Sequence, residues 1–216
     1  MIGGVEAEVI RESRSEEDKR ISCRELLSGA GKVVDGTPAH AYLTSRCGDP
    51  GTQPDLRAHP GIRHSISGGC HPALLGIMRR ADGSGASVHR TFLTESGKKA
   101  IVSPVRMMMP GSINGASIRL GGIAELIGLA EGIETALCAS KLFGIPVWAA
   151  TSAGSIKTWE APEGVKGLVI FADNDLNFTG QEAAYALAKK LSKLSVEIKI
   201  PDMPGTDWAD HTQQEQ

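Results

Sequence analysis

The stretch "LVIFADND", residues 168–175, decides how the second half of this chain is read. It opens with four apolar residues followed by Ala172, an unbroken run of the kind buried inside a parallel sheet. It closes on Asp173, Asn174 and Asp175. Continued as a strand, the run puts Asp173 and Asp175 on one face, since side chains two apart point the same way. Two like charges so placed make each other harder to ionise, and something positive must offset them.

Working outward, the flanking sequence repeats the same grammar. "AELIGLA" (124–130) reads as a short buried strand, and "GIETALCASKLFG" (132–144) as a helix closed by Gly144. "PVWAATS" (146–152) and "GLVIFA" (167–172) read as strands, "TGQEAAYALAKKLSKL" (179–194) as an amphipathic helix, and "VEIKIP" (196–201) as a last strand. Strands interleaved with helices predict a parallel sheet with crossover connections, an α/β fold. Ligands gather at the carboxyl ends of such strands. Glu131 follows one predicted strand, and Asp173 and Asp175 follow another.

The first half reads differently. Residues 1–19 are polar and charged, a tail without a core face. Residues 20–122 form a smaller α+β region. "RISCRELLSGAG" is a short helix stopped by glycine, and "GTPAHAYLTSR" a helix with Thr37 as N-cap and Pro38 at its first position. A Gly/Pro-rich connection runs to about residue 72, a β-hairpin spans 74–94, and "GASIRLGG" is a further strand.

A formal net charge of −2 hides an asymmetry. From Arg57 to Arg106 eight Arg and Lys face only Asp82 and Glu95, whereas from Glu125 onward thirteen acids face seven Lys. A basic half joined to an acidic half points to polyanions and metal ions together. Other classes fall away. No stretch approaches the roughly 20 apolar residues of a membrane span, and the first residues lack the pattern of a signal peptide. The four cysteines form no CxxC pair, so they read as reduced cytosolic thiols. There is no Walker GxxxxGK[ST] phosphate cradle. Phe92 is the lone stacking side chain of the basic region, and Met107–Met109 read as packing.

Three carboxylates at two strand ends would repel one another unless they hold a cation. Hard oxygen ligands suit Mg²⁺ or Mn²⁺. "PDMPGTDWADH" adds Asp207 and Asp210 just after the last strand, where a loop returns them to the same edge. A lone pair of acids is more often a solvated loop or a helix cap. Glu131, the Asp pair and a late Asp pair, each behind its own strand, are harder to explain that way. Glu134, one turn into a helix, reads as compensation of the helix dipole.

The run "LAEGIETALCAS…VWAATSAGSIKTW…LVIFADND…TGQEAAYALAKKL…GTDWADH" resembles a Toprim domain over about residues 123–211. That fold, Rossmann-like with a mainly parallel sheet flanked by helices, is shared by bacterial primases, topoisomerases and some nucleases. "EGIETA" and "GTDWAD" are most similar to Toprim domains of phage and plasmid primases, and "GTPAHAYLTSR", "LRAHP" and "HRTFLTESGKKA" resemble the segment preceding Toprim there. The resemblance implies that Glu131, Asp173 and Asp175 are the catalytic and metal-binding acids, completed by Asp207 or Asp210. "AGSIKTW" matches the family's turn between the two acidic motifs. The zinc ribbon and helicase module common in such primases have no counterpart in this sequence.

The implied activity is Mg²⁺- or Mn²⁺-dependent primer synthesis on single-stranded DNA, in which a 3′-hydroxyl attacks the α-phosphate of a nucleoside triphosphate. Glu131 is either a further ligand or the group that helps deprotonate the hydroxyl. Arg79, Arg80, Arg90, Lys98, Lys99 and Arg106 are the candidates for binding template phosphates or triphosphates; a solvated basic face is their plain alternative. A helicase or zinc-ribbon protein in trans is an expected partner, and the cytoplasm of a bacterial host the expected compartment. A Toprim nuclease and a non-catalytic binding protein remain as alternatives. Topoisomerase chemistry needs a tyrosine nucleophile on a large DNA gate, and the two tyrosines, Tyr42 and Tyr185, fall on predicted helices.

Overall fold

The order of small, polar and apolar residues that marks the helix starts is visible from the first described turn. The computed structural model describes residues 15–211, so most of the expected polar tail lies outside the described residues. Its last residues are helical. α1 (Glu16–Ser28) starts with a capping box in which Ser15 Oγ accepts from Asp18 N and Asp18 accepts from Ser15 N. The local capping signal therefore overrides the polar composition of this stretch. α2 (Pro38–Cys47) begins as expected, with Thr37 Oγ1 accepting from His40 N at 3.2 Å.

β1 (Leu56–Arg63) and the start of β2 (Cys70–Arg79) lie in the segment expected to be an irregular connection. Pro60-Gly61 hid β1: the register with β2 shifts between His59 and Ile62, and this bulge breaks the alternation of Leu56, Ala58 and Ile62. β2 and β3 (Gly85–Phe92) form the expected hairpin. β4 (Arg106–Met108) and the two-residue β5 (Ser117–Ile118) follow.

Beyond this, β6 (Leu126–Ala130), α3 (Ile133–Phe143), β7 (Val147–Ala149), β8 (Gly167–Phe171), α5 (Thr179–Lys190) and β9 (Ser195–Lys199) match the predicted order, with shorter strands. Gly144 closes α3 in the left-handed conformation (φ 67°) that glycine adopts without strain. Residues expected as a turn after β7 form α4 (Ala153–Thr158), capped by Ser152, whose Oγ accepts from Ser155 N at 3.1 Å. Strand and helix thus alternate without exception from β6 to β9. A final short helix, α6, covers Trp208–His211.

The nine strands of the described residues belong to one sheet, ordered β4-β3-β2-β5-β7-β6-β8-β9, with β1 on β2. The β7-β6-β8-β9 end is parallel and the remainder antiparallel. β5 joins the two ends, pairing Met78 with Ile118 on one side and Ile118 with Ala149 on the other. Period-two alternation builds two cores on the parallel end: Ala130, Val169 and Phe171 pack with α2, α3 and α6, while Leu129, Leu168 and Ile170 pack with α4 and α5. A third core lies between α1 and the β1–β3 strands, around Leu75, Val88 and Phe92. Among the described residues no helix is long and apolar enough to cross a membrane.

Candidate active site

Chain order sends β6 to β7 on one side and then returns to β8 on the other, so the strand order reverses between β6 and β8. Such a switch point opens a crevice at the carboxyl ends. Ala130 pairs with Phe171, so Glu131 leaves β6 level with Ala172, which follows the neighbouring strand one residue before Asp173. Glu131 and Asp173 line a cleft of about 200 Å³ together with Asp207.

The two acids are held in unlike ways. Burial raises the Glu131 carboxyl and the charge of Asp175 adds to this; Arg106 and a backbone N–H at Ala153 oppose it. Asp173 is raised further, to about 7, by burial first and then by the charges of Asp207, Glu131, Asp175 and Asp210. Its Oδ1 is buried without a hydrogen-bond partner. Next to Glu131, Thr151 takes a left-handed backbone (φ 75°), and its N–H donates to the Glu131 carbonyl at 2.8 Å. A β-branched residue there is strained by about 1–3 kcal/mol, a cost met mainly at functional sites.

The alternation argument for Asp173 and Asp175 does not hold. β8 ends at Phe171, so Asp173 and Asp175 both lie beyond the strand, just ahead of the turn at Leu176 and Asn177. Asp175 Oδ2 instead accepts from Gly180 N at 2.8 Å, at the start of α5. The turn is tight. A Cβ on Gly180 would lie 2.7 Å from the Asp173 carbonyl oxygen, so glycine is required for this close approach. The two acids share an electrostatic field without sharing a strand face.

Asp207 reaches the cleft because two loops are tied together. Asn174 N donates to Thr206 O at 3.0 Å, Gly205 N donates to Asn174 O at 2.6 Å, and Asn174 Nδ2 donates to Pro201 O at 2.7 Å. Asp207 Oδ1 caps α6, accepting from Ala209 N at 2.6 Å, and Oδ2 accepts from Thr135 Oγ1 at 3.4 Å. Asp210 accepts from Asp207 N at 3.1 Å and does not line the cleft. As placed, no group of three or more Asp, Glu, His or Cys among the described residues converges closely enough to enclose a metal ion. Asp175, Asp207 and Asp210 each have oxygens engaged at a helix end.

The opposite wall is basic and comes from the antiparallel end. Arg46 arrives from the last turn of α2, Lys99 from beyond the hairpin and Arg106 from β4. Arg106 donates to Glu134 Oε1 at 2.7 Å, and Tyr42 Oη donates to the same oxygen. Glu134 is only 6% exposed. Burial alone would raise its carboxyl, but Arg106 and the Tyr42 hydrogen bond outweigh that and hold it below the usual range. Glu134 is thus a buried anchor for Arg106, beyond the dipole role read from its position. Burial and the charge of Arg106 lower Lys99, and His89 completes the wall.

The six predicted basic residues are not one patch. Lys99 and Arg106 line the cleft. Arg79 forms an ion pair with the buried Asp55 at 2.7 Å, and Arg80 donates to Gly85 O and Ser112 O. Arg90 donates to Met108 O, and Lys98 is an exposed residue of the turn after β3. Arg79 and Arg80 line a separate groove of about 430 Å³ against α1, with Arg20 and Arg24. Arg46 and the Tyr42–Glu134 pair were absent from the sequence expectations. Arg46 reads locally as a helix C-terminal cation, and His89 as half of a basic "HR" pair.

The match to known family models follows the same division. A Toprim domain model matches residues 126–216, covering the parallel end and all five acids. Residues 126–216 are a Toprim domain. Ahead of the Toprim domain, residues 17–120 match a domain of unknown function (DUF7146). The primase fragment of the bacteriophage T7 primase-helicase is 14% identical, with a TM-score of 0.50 over 74% of this chain and 62% of that one. The RNA polymerase domain of Mycobacterium tuberculosis primase DnaG, solved with double-stranded DNA, is also 14% identical, with a TM-score of 0.50 over 90% and 74%. A DNA primase domain from Pseudomonas aeruginosa is 16% identical, with a TM-score of 0.45 over 72% and 52%. The chain thus spans about half to three fifths of the P. aeruginosa and T7 chains. At these identities the likeness is one of fold, the Toprim fold with its preceding region. No curated protein matches the chain.

Proposed function

We propose that the cleft carries out metal-assisted phosphoryl transfer of the primase type, joining nucleotides on a single-stranded DNA template. The observation that carries this reading is the opposition of sign across one small space. Glu131, Asp173 and Asp207 face Arg46, Lys99 and Arg106. Cations alone would suit any polyanion, and acids alone any hard cation. Both together suit a ligand that is polyanionic and travels with a divalent metal, as a nucleoside triphosphate does.

The donor set fits Mg²⁺ or Mn²⁺: hard carboxylate oxygens, one of them buried and unpartnered on Asp173. Asp173 and Glu131 would hold the ion, joined by Asp175, Asp207 or Asp210 on release from their helix ends. When bound, it neutralises charge on the transferring phosphate and orients the attacking oxygen. The chain itself does the rest. Arg106, fixed by Glu134, and Lys99 and Arg46 beside it bind the phosphate chain. Glu131 serves either as a further ligand or as acceptor of the hydroxyl proton. The Arg20, Arg24, Arg79 and Arg80 groove is the proposed track for template phosphates, which are bound without reading bases. Template choice then falls to a partner, a helicase or a zinc-bearing protein.

Incubation with single-stranded DNA, labelled nucleoside triphosphates and Mg²⁺ or Mn²⁺ tests the reading. Template-dependent extension that is lost in Glu131→Gln is the expected result. Cleavage of the DNA instead would make the protein a Toprim nuclease, and binding without either reaction would make it a binding module.

A further inference from the structure

Two histidines are buried in the antiparallel end, and the fold treats them differently. His64 is fully buried and fully bonded: Nδ1 accepts from Ser67 N at 3.0 Å, and Nε2 lies 2.9 Å from Pro104 O. His89 is 8% exposed and has no hydrogen bond at either ring nitrogen among the described residues, and its Nδ1 is closed off from solvent. Yet the ring lines the cleft beside Lys99 and Arg106. The strand around it is regular, with His89 paired to Gly76 on β2 and Met108 on β4, so no irregularity of β3 explains its position. A buried polar group without a partner destabilises the fold. Nε2 is not closed off, and it is the ring nitrogen that a ligand in the cleft can reach.

We infer that His89 is a ligand-binding residue of the cleft, donating a ring N–H to a non-bridging oxygen of the triphosphate chain. This rests on the nucleotidyl-transfer reading above and extends it to a residue outside the acidic and basic sets. Burial and the positive charge of Arg106 lower the imidazole to about 4, so it meets the ligand uncharged. An uncharged ring carries one N–H and one lone pair, and toward a phosphate oxygen only the N–H is complementary. The neighbourhood fits. The first turn of α3 also lines the cleft, and its N-cap, Gly132, offers no side-chain acceptor to that turn. His89 then supplies direction where Arg46, Lys99 and Arg106 supply charge.

Calorimetric titration of the full chain with inorganic tripolyphosphate in metal-free buffer tests this without depending on turnover. Wild type binds, and His89→Leu is expected to bind about 5- to 10-fold more weakly, the worth of one hydrogen bond. His89→Gln keeps an N–H donor and should bind within about threefold of wild type. Without ligand, His89→Leu should melt at or above the wild-type temperature, because it removes an unpartnered polar group. Wild-type affinity in His89→Leu would overturn the inference, as would failure of the wild type to bind tripolyphosphate. So would a His89→Gln variant that melts normally and binds as weakly as His89→Leu. The two readings fail separately: the expected binding series without primer extension removes the catalytic reading alone, and extension with an unaffected His89→Leu removes this one alone.

Discussion

Two carboxylates that line the cleft have contrary fates. Glu134 meets a guanidinium and a phenol and is held ionised. Asp173, close by, meets other acids and is pushed up to about 7. The first charge is satisfied within the fold, and the second has no compensating partner among the described residues. The contrast separates a charge that builds the site from a charge that awaits a ligand, and the first is built by Arg106 of β4 and Tyr42 of α2 closing on Glu134 of α3.

Breaking the satisfied charge should cost most. Arg106→Met leaves Glu134 buried and uncompensated, which typically destabilises by about 3–5 kcal/mol. Because the arginine side chain is 46% exposed, the lower figure is the better expectation. Urea denaturation at neutral pH measures it. A variant as stable as wild type would show that Glu134 does not depend on Arg106.

Relieving the unsatisfied charge should have the opposite sign. The folded carboxyl of Asp173 titrates near 7 and an unfolded one near 3.9, so the folded state holds the proton more tightly between those values. Stability linked to this group is full below about pH 4 and is lost as pH rises toward about 7. Asp173→Asn should therefore be more stable than wild type at pH 8 in chelator, by about 2–4 kcal/mol, and equal to it near pH 4. Any metal-dependent activity should fall at least about 100-fold with it. An Asn variant that melts well below wild type at pH 8 would make Asp173 structural.

Moving the unsatisfied charge without removing it is a smaller perturbation. Gly180→Ala drives a methyl into the Asp173 carbonyl and should cost about 1–3 kcal/mol. It should also weaken Mn²⁺ binding, read by electron spin resonance. Unchanged binding would mean that the loop gives way elsewhere. Asp175→Asn should do least to stability, under about 0.5 kcal/mol, because asparagine also accepts from Gly180 N. A large loss would show that the charge, and not the oxygen, caps α5.

How far the site was legible from sequence follows the same line. Acids behind buried strands carry their own signal, because strand, turn and helix start are local features. Glu131, Asp173 and Asp207 were found that way, although the strand-face reasoning for Asp175 ran past the end of β8. The basic wall was legible only in part: Lys99 and Arg106 were among the six basic candidates, but nothing local set them apart from Arg79, Arg80, Arg90 and Lys98. Arg46, Lys99 and Arg106 lie far apart in sequence on a helix end, a loop and an edge strand, and only the sheet brings them together. β1 was missed for a related reason: its bulge at Pro60-Gly61 breaks the periodicity on which recognition rests. Arg79 looked like a surface cation, and only tertiary structure sets Asp55 beside it.

The two-residue strand Ser117–Ile118 has a mechanical consequence. It is buried, and the indole Nε1 of Trp159 donates to Ser117 Oγ at 3.0 Å. Both walls of the cleft therefore stand on a single plate, riveted at its narrowest width. Many enzymes with sites between two lobes grip substrate by swinging about a hinge. A sheet continuous from one wall to the other predicts a gap that is set when the chain folds. Under the proposed function, nucleotide exchange should then be timed by dissociation and not by any motion of closure.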